Sequence, residues 1–297
     1  CGDPVVEGGG REVMKSSVLP TGVLSIGLLL GTVTVATAQT KWASDGPVVH
    51  GHHHLNVTDR AAHERFWGDT LGGIPTPWRE VTIFKFPNAL VFLTDREPTG
   101  GTIGSVVNHL GFWVPDTRKT LDKVKTAGYP VITAQELPSA NVRDGMVCSD
   151  SQNTCIAYVM APDNVKVELV ENRSQTLPIQ NHHIHFNTPQ VDEMRAFYVK
   201  TFGAVAGMNG NFKVADLPGV NMRFSESSES LAGIQGRSLD HIGFEVDNLE
   251  AFCQKLEGMG ITLDRPYRRI DELDIAVAFF TDPWGTYIEL TEGLDNY

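Results

Sequence analysis

The sequence predicts an α+β fold made of four βαβββ units, paired in chain order into two domains. Three observations lead there. His52-His53-His54-Leu55-Asn56 and His183-Ile184-His185-Phe186-Asn187 share a His-x-His-x-Asn pattern, 131 residues apart. Each runs into a helix carrying an aromatic pair, Phe66-Trp67 or Phe197-Tyr198. His109-Leu110-Gly111-Phe112 and His241-Ile242-Gly243-Phe244 form a second repeat, 132 residues apart. Finally, the polar stretch Asn172-Arg173-Ser174-Gln175-Thr176-Leu177-Pro178 has the composition of a linker and divides 47–171 from 181–297.

Each element has its own reason. Residues 1–13 carry no periodic pattern and precede Met14-Lys15, an apolar run from Val18 to Val35, and Ala36-Thr37-Ala38. A basic start, an apolar core and an A-x-A site predict a secretory signal peptide within 1–38, cleaved after Ala38; a retained membrane anchor is the alternative. The mature protein is then periplasmic or secreted, with no stable membrane anchor. In the first unit a strand through His52 leads to a helix ending near Gly72-Gly73, then to strands Val81–Phe86 and Ala89–Thr94. The second opens at His109, with Asp116 or Thr117 as helix cap and Gly128 as helix stop, and closes on Val165–Leu169. The third follows with a helix to Gly203 and strands Phe212–Ala215 and Val220–Phe224. In the fourth, Asp247 or Asn248 caps a helix with Leu249, Phe252 and Leu256 on one face, and Gly260 stops it. An Asp282-Pro283-Trp284-Gly285 turn then delivers the last strand, Thr286–Leu290.

The chain of 297 residues has a formal charge of −12, which excludes a nucleic-acid surface. Cys148 and Cys155 flank a turn-forming Ser149–Thr154 and form either a disulfide across a hairpin or two free thiols; Cys253 packs in a helix.

Chemistry is concentrated in the repeats. His52, His109, His183 and His241 occupy equivalent strand positions, and Glu168 and Glu289 close the second and fourth units. Two neutral imidazoles and a carboxylate on one face hold a divalent metal while leaving coordination positions open. A lone strand histidine is more often a core residue; recurrence is what favours ligation here. Strand alternation places His54 and Asn56 with His52, and His185 and Asn187 with His183. By the same parity His50 joins His52, whereas His53 and His182 face away. His63 falls on the surface of the first helix. Tyr287 shares the face of Glu289, and Lys166 that of Glu168, where it could bind an anionic substrate or pair with Glu168.

The repeated unit, the strand-opening histidines and the closing Asp282-Pro283-Trp284-Gly285-Thr286-Tyr287-Ile288-Glu289-Leu290 resemble the vicinal oxygen chelate superfamily. That superfamily includes glyoxalase I, extradiol dioxygenases, fosfomycin- and bleomycin-resistance proteins and methylmalonyl-CoA epimerase. The resemblance implies open, cup-shaped domains around a divalent metal (Fe, Mn, Zn or Ni) and a small oxygen-chelating substrate. It implies His183, His241 and Glu289 as C-terminal ligands and His52, His109 and Glu168 as N-terminal ones. Whether each site forms within a domain or across domains stays open. His185 and His54 are then candidate catalytic proton carriers. The chemistry is of lyase, isomerase or dioxygenase type; the alternative is sequestration of a small molecule without turnover. Two departures stand out. The strands Leu90-Val91-Phe92-Leu93 and Asn221-Met222-Arg223-Phe224 lack the fourth carboxylate usual in glyoxalase I. Phe279 stands where extradiol enzymes carry a tyrosine.

Overall fold

The computed structural model describes residues 46–294; the expected signal peptide lies outside them. The first repeat comprises β1 (Val48–Val57), α1 (Arg60–Glu64, continued by a π-helical stretch Arg65–Thr70), β2 (Ile74–Trp78), β3 (Val81–Phe86) and β4 (Ala89–Asp95). The second comprises β5 (Val107–Val114), α2 (Thr117–Thr126), α3 (Thr133–Glu136), β6 (Val147–Ser149), β7 (Thr154–Ala161) and β8 (Val165–Glu171). The third comprises β9 (Gln180–Thr188), α4 (Val191–Phe202), β10 (Val205–Asn209), β11 (Phe212–Leu217) and β12 (Val220–Glu226). The fourth comprises β13 (Leu239–Val246), α5 (Leu249–Gly258), β14 (Arg265–Ile270), β15 (Ile275–Thr281) and β16 (Tyr287–Glu292). Asp59, Asp116 and Asn248 cap their helices by accepting the backbone N–H three residues on. Gly203 ends α4 in the left-handed conformation, φ 74°, which a side chain would strain.

Strand pairing does not follow chain order. One eight-stranded sheet runs β14-β15-β16-β13-β1-β4-β3-β2 and joins the first repeat to the fourth; the other runs β10-β11-β12-β9-β5-β8-β7-β6 and joins the third to the second. Each sheet therefore crosses the boundary expected between 47–171 and 181–297. The helices follow the opposite rule. Trp67, beside α1, packs on Phe86 of its own repeat and Phe112 of the second, and Phe66 packs on Tyr129. In α4, Tyr198 packs on Phe186 and Phe224, and Phe202 on Phe244 and Phe280 of the fourth repeat. Consecutive repeats thus share an apolar core beneath a helix, while hydrogen-bonded sheets tie the halves together. Burial of large aromatics such as Trp67 and Tyr198 favours the first arrangement. Edge-to-edge pairing of β1 with β13 and of β5 with β9 satisfies the backbone groups that each half would otherwise expose.

Bulges interrupt both central ladders. His50 pairs with Phe244 and His52 with Gly243, so Gly51 is an extra residue. His183 pairs with Gly111 and Asn181 with Phe112, so His182 is the matching extra residue. Each insertion inverts the side-chain alternation that precedes it. His50 consequently lies against His53, with ring centroids 4.7 Å apart, rather than sharing the direction of His52. His182 lies beside His183, their Nδ1 atoms 2.9 Å apart.

Cys148 and Cys155 form a disulfide between β6 and β7, and Cys253 is a buried free thiol. Among the described residues no helix is long and apolar enough to cross a membrane.

Candidate metal centres

Each sheet brings three adjacent strands to one cluster. In the first, β16, β13 and β1 carry Glu289, His241 and His52. The Nε2 atoms of His52 and His241 lie 2.9 and 2.8 Å from the same carboxylate oxygen, Glu289 Oε2. In the second, β8, β5 and β9 carry Glu168, His109 and His183, whose Nε2 atoms lie 2.9 and 3.0 Å from Glu168 Oε2. His54 joins the first group and His185 the second; within each group the candidate ligand atoms lie within 4.8 Å of one another. The eight residues expected from the sequence are thus all at these clusters, but regrouped across the halves: His52 with His241 and Glu289, His109 with Glu168 and His183.

Two features that position the rings escaped sequence reasoning. Gly243 faces His52 on β1 and Glu289 on β16, and Gly111 faces His183 and Glu168. Each His ring lies directly over the bare glycine, where a Cβ would collide with it. The matching His-x-Gly of the second repeat pattern was the available signal. The residue before each β5 and β13 histidine is also a bulge. Asp240 and Asn108 are the unpaired residues there, and each accepts a hydrogen bond from the adjacent ring Nδ1, from His241 at 2.6 Å and from His109 at 2.8 Å. Such a bond fixes the ring and leaves Nε2 aimed at the cluster. Asp240 is itself held by Asn56 and by the Gly236 N–H, so Asn56 serves Asp240 from behind the histidines.

Electrostatics separate the two centres. Burial alone would raise the Glu289 and Glu168 carboxyls, but hydrogen bonds from two histidines each hold them below the ordinary range. Burial lowers His52, His109 and His183, the last to about 3, so these rings are neutral donors at physiological pH. His241 differs. Burial would lower it, yet Asp240 and Glu289, one at each ring nitrogen, raise it above its ordinary 6.5. A raised imidazole stabilises the fold fully below 6.5, and that contribution fades as pH rises through the raised value. The depressed Glu289 contributes above its ordinary 4.5 and is lost toward acid. The other nine histidines are buried and lowered, so near pH 6.5 they bind protons mainly in the unfolded chain; metal-free protein is therefore expected to melt at progressively higher temperature as pH rises through 6.5, with His241 alone opposing the gain and Asp240→Asn steepening it. Thermal scans across this pH check it; an unchanged slope in Asp240→Asn would show that His241 does not oppose the gain.

His54 and His185 each meet a hydroxyl: His54 Nε2 lies 2.6 Å from Thr94 Oγ1, and His185 Nε2 lies 2.8 Å from Ser225 Oγ. His63 is buried rather than on the surface, because it bridges Asp163 at 3.0 Å and accepts the Trp67 indole N–H at 3.2 Å. Lys166 does not pair with Glu168; it is buried against Glu136 of α3. Tyr287 is buried against His241 and Phe279. Both centres open to cavities. That of Glu289, about 700 Å³, is walled by Trp78, Phe92, Val277 and Phe279, with the exposed Arg265 and Arg268 also lining it. That of Glu168, about 770 Å³, is polar, with Gln152, Asn153, Asn172, Asn211 and Arg223. Across from the carboxylates stand Phe279 in one site and Tyr158 in the other.

Two imidazoles converging on one carboxylate oxygen, with a ring nitrogen tethered behind, suit a divalent ion with open positions. Residues 180–290 match the family model "Glyoxalase/Bleomycin resistance protein/Dioxygenase superfamily". Among solved structures, glyoxalase I from Zea mays is similar at 15% identity and TM-score 0.65, covering 84% of this chain and 94% of that one. A point mutant of the same maize enzyme is similar at 14% identity and TM-score 0.65, covering 84% and 95%. A putative dioxygenase from Bacillus subtilis subsp. subtilis is similar at 13% identity and TM-score 0.59, covering 82% and 84%. These likenesses show the fold. No curated protein matches the chain in sequence.

Proposed function

We propose that the chain, whose residues 180–290 match the glyoxalase/bleomycin resistance/dioxygenase superfamily model, is a member of that superfamily and an exported, divalent-metal-dependent enzyme acting on a small oxygen-chelating molecule. The observation that carries the proposal is the duplicated convergence of two His Nε2 atoms on a single carboxylate oxygen, at Glu289 and again at Glu168. His52, His241 and Glu289 would hold one ion, and His109, His183 and Glu168 the other. When bound, the ion supplies Lewis acidity and open positions for two adjacent substrate oxygens.

The chain's own groups supply the rest. His54 and His185, oriented by Thr94 and Ser225, would move protons at the chelated molecule. Burial lowers both imidazoles well below their ordinary value, so both are neutral at physiological pH. Lyase, isomerase or dioxygenase chemistry all fit such a site. Export is supported by the signal-like pattern before Gln39 and by the Cys148–Cys155 disulfide, a bond favoured in oxidising compartments.

Metal analysis of the purified protein beside His241→Ala tests the reading. The variant is expected to carry one fewer ion per chain. Equal metal in both would remove the proposal, and a redox-active iron would favour the dioxygenase branch.

A further inference from the structure

The two centres differ most sharply at one register position. On β12, Arg223 lies opposite His185 of β9; on β4, Phe92 lies opposite His54 of β1. The strands are otherwise equivalent, so one site has a cation where its twin has a phenyl ring. Arg223 is 8% exposed, and its guanidinium lines the same cavity as Glu168. Its side-chain contacts are neutral: Nε donates to Asn221 Oδ1 at 2.9 Å, Nη2 lies 3.5 Å from His182 Nε2, and the group sits over the Phe212 ring. Among the described residues no carboxylate lies within ion-pair distance of it. Glu168 and Asp216 act on it only from beyond ion-pair distance, and a buried guanidinium with no carboxylate in contact is costly unless a ligand supplies one. The other cations nearby are already matched, Lys166 by Glu136 and Arg173, which lines the same cavity, by Glu171.

Resting on the metal reading above, we propose that the Glu168 centre selects small anionic chelators, with Arg223 clamping an oxyanion group beside the chelating oxygens. A divalent ion held by Glu168 and neutral imidazoles leaves one positive charge, and Arg223 adds a second. A ligand with two negative charges balances the site. A planar guanidinium engages a carboxylate or a phosphonate through paired N–H donors, which sets orientation as well as charge. The polar walls at Gln152, Asn153 and Asn211 suit such a ligand. At the Glu289 centre the matching position is Phe92, and the arginines that line that cavity, Arg265 and Arg268, are exposed rather than buried, with Arg265 set over the Phe279 ring. One chain thus carries two differently specified sites.

The test uses the whole mature chain with His52→Ala and Glu289→Gln, which confines metal to the Glu168 centre. Cobalt(II) is loaded as a spectroscopic reporter, and oxalate, phosphonoformate and acetohydroxamic acid are titrated separately. Replacing Arg223 by Met is expected to weaken oxalate or phosphonoformate by about ten- to a hundredfold, the loss of a charge-assisted contact, while acetohydroxamic acid, which chelates as a monoanion with no further oxyanion group, changes little. Arg223→Lys should recover part of the loss, and the more affected anion identifies the group recognised. Unchanged cobalt content and absorption in the Arg223 variants establish that the centre itself is intact; if Arg223→Met loses cobalt, Arg223→Lys and Arg223→Gln carry the comparison. Equal effects on all three ligands, or none, would overturn the proposal and leave the metal reading standing. Failure of cobalt to bind before Arg223 is altered would instead remove the metal reading, and this inference with it.

Discussion

Gly243→Ala is expected to strip metal from the Glu289 centre while the Glu168 centre stays loaded. An added Cβ would lie 2.0 Å from His52 Cε1 and 2.1 Å from Nδ1, inside any allowed contact. The ring cannot slide along its strand, because β1 is paired on one side with β13 and on the other with β4. It must therefore rotate away from Glu289, and the cluster loses one of its two imidazoles. Overfilling of this kind also destabilises by about 1–3 kcal/mol. Gly111→Ala is the mirror experiment, since its Cβ would lie 1.9 Å from His183 Cε1. Metal analysis and thermal melts of the two variants report both effects. Full loading of both centres in either variant would mean that these rings do not hold the ions.

Removing both centres with only two substitutions is the second expectation, and it depends on how the ligands are grouped. His52→Ala combined with Glu168→Gln touches one centre if ligands group by chain half. It touches both in the observed sheets, where His52 meets Glu289 and Glu168 meets His109 and His183. This double variant should retain essentially no stoichiometric metal. His52→Ala with Glu289→Gln should retain the Glu168 centre in full. Truncating a ligand and neutralising a carboxylate each remove a charge-assisted bond to the ion, so partial occupancy is not expected at the micromolar metal concentrations of a dialysed sample. One ion per chain remaining in the first double variant would restore the grouping by halves.

Much of this was legible in the sequence, and the exceptions have physical causes. Period-two alternation around Glu289 and the repeated His-x-His and His-x-Gly patterns sufficed for the strands, the four units and the eight cluster residues. Partner choice was not legible, because β1 and β5 carry equivalent patterns and either could pair with β13 or β9. Only long-range packing of edges settles that. The directions of His50 and His182 were misread because a one-residue bulge leaves no composition signal. The roles of Asp240 and Asn108 were hidden for the same reason: they are bulge residues whose side chains reach the next ring. His63 looked like a surface residue until Asp163, from another repeat, came within 3.0 Å of it.

The sheet order also sets a timetable. The β5–β9 sheet is nested inside the β1–β13 sheet as one pair of brackets inside another. As the chain emerges N-terminus first, every strand of the inner sheet is present once Glu226 has appeared, and its ligands can assemble. The first repeat must wait: Val48 cannot pair until Val246 is made, and Glu289 comes later still. The outer centre therefore closes last, across the longest loop in the molecule, and closure of long loops is what slows folding. A chain arrested shortly before its end would carry one finished centre and an unpaired β1 edge.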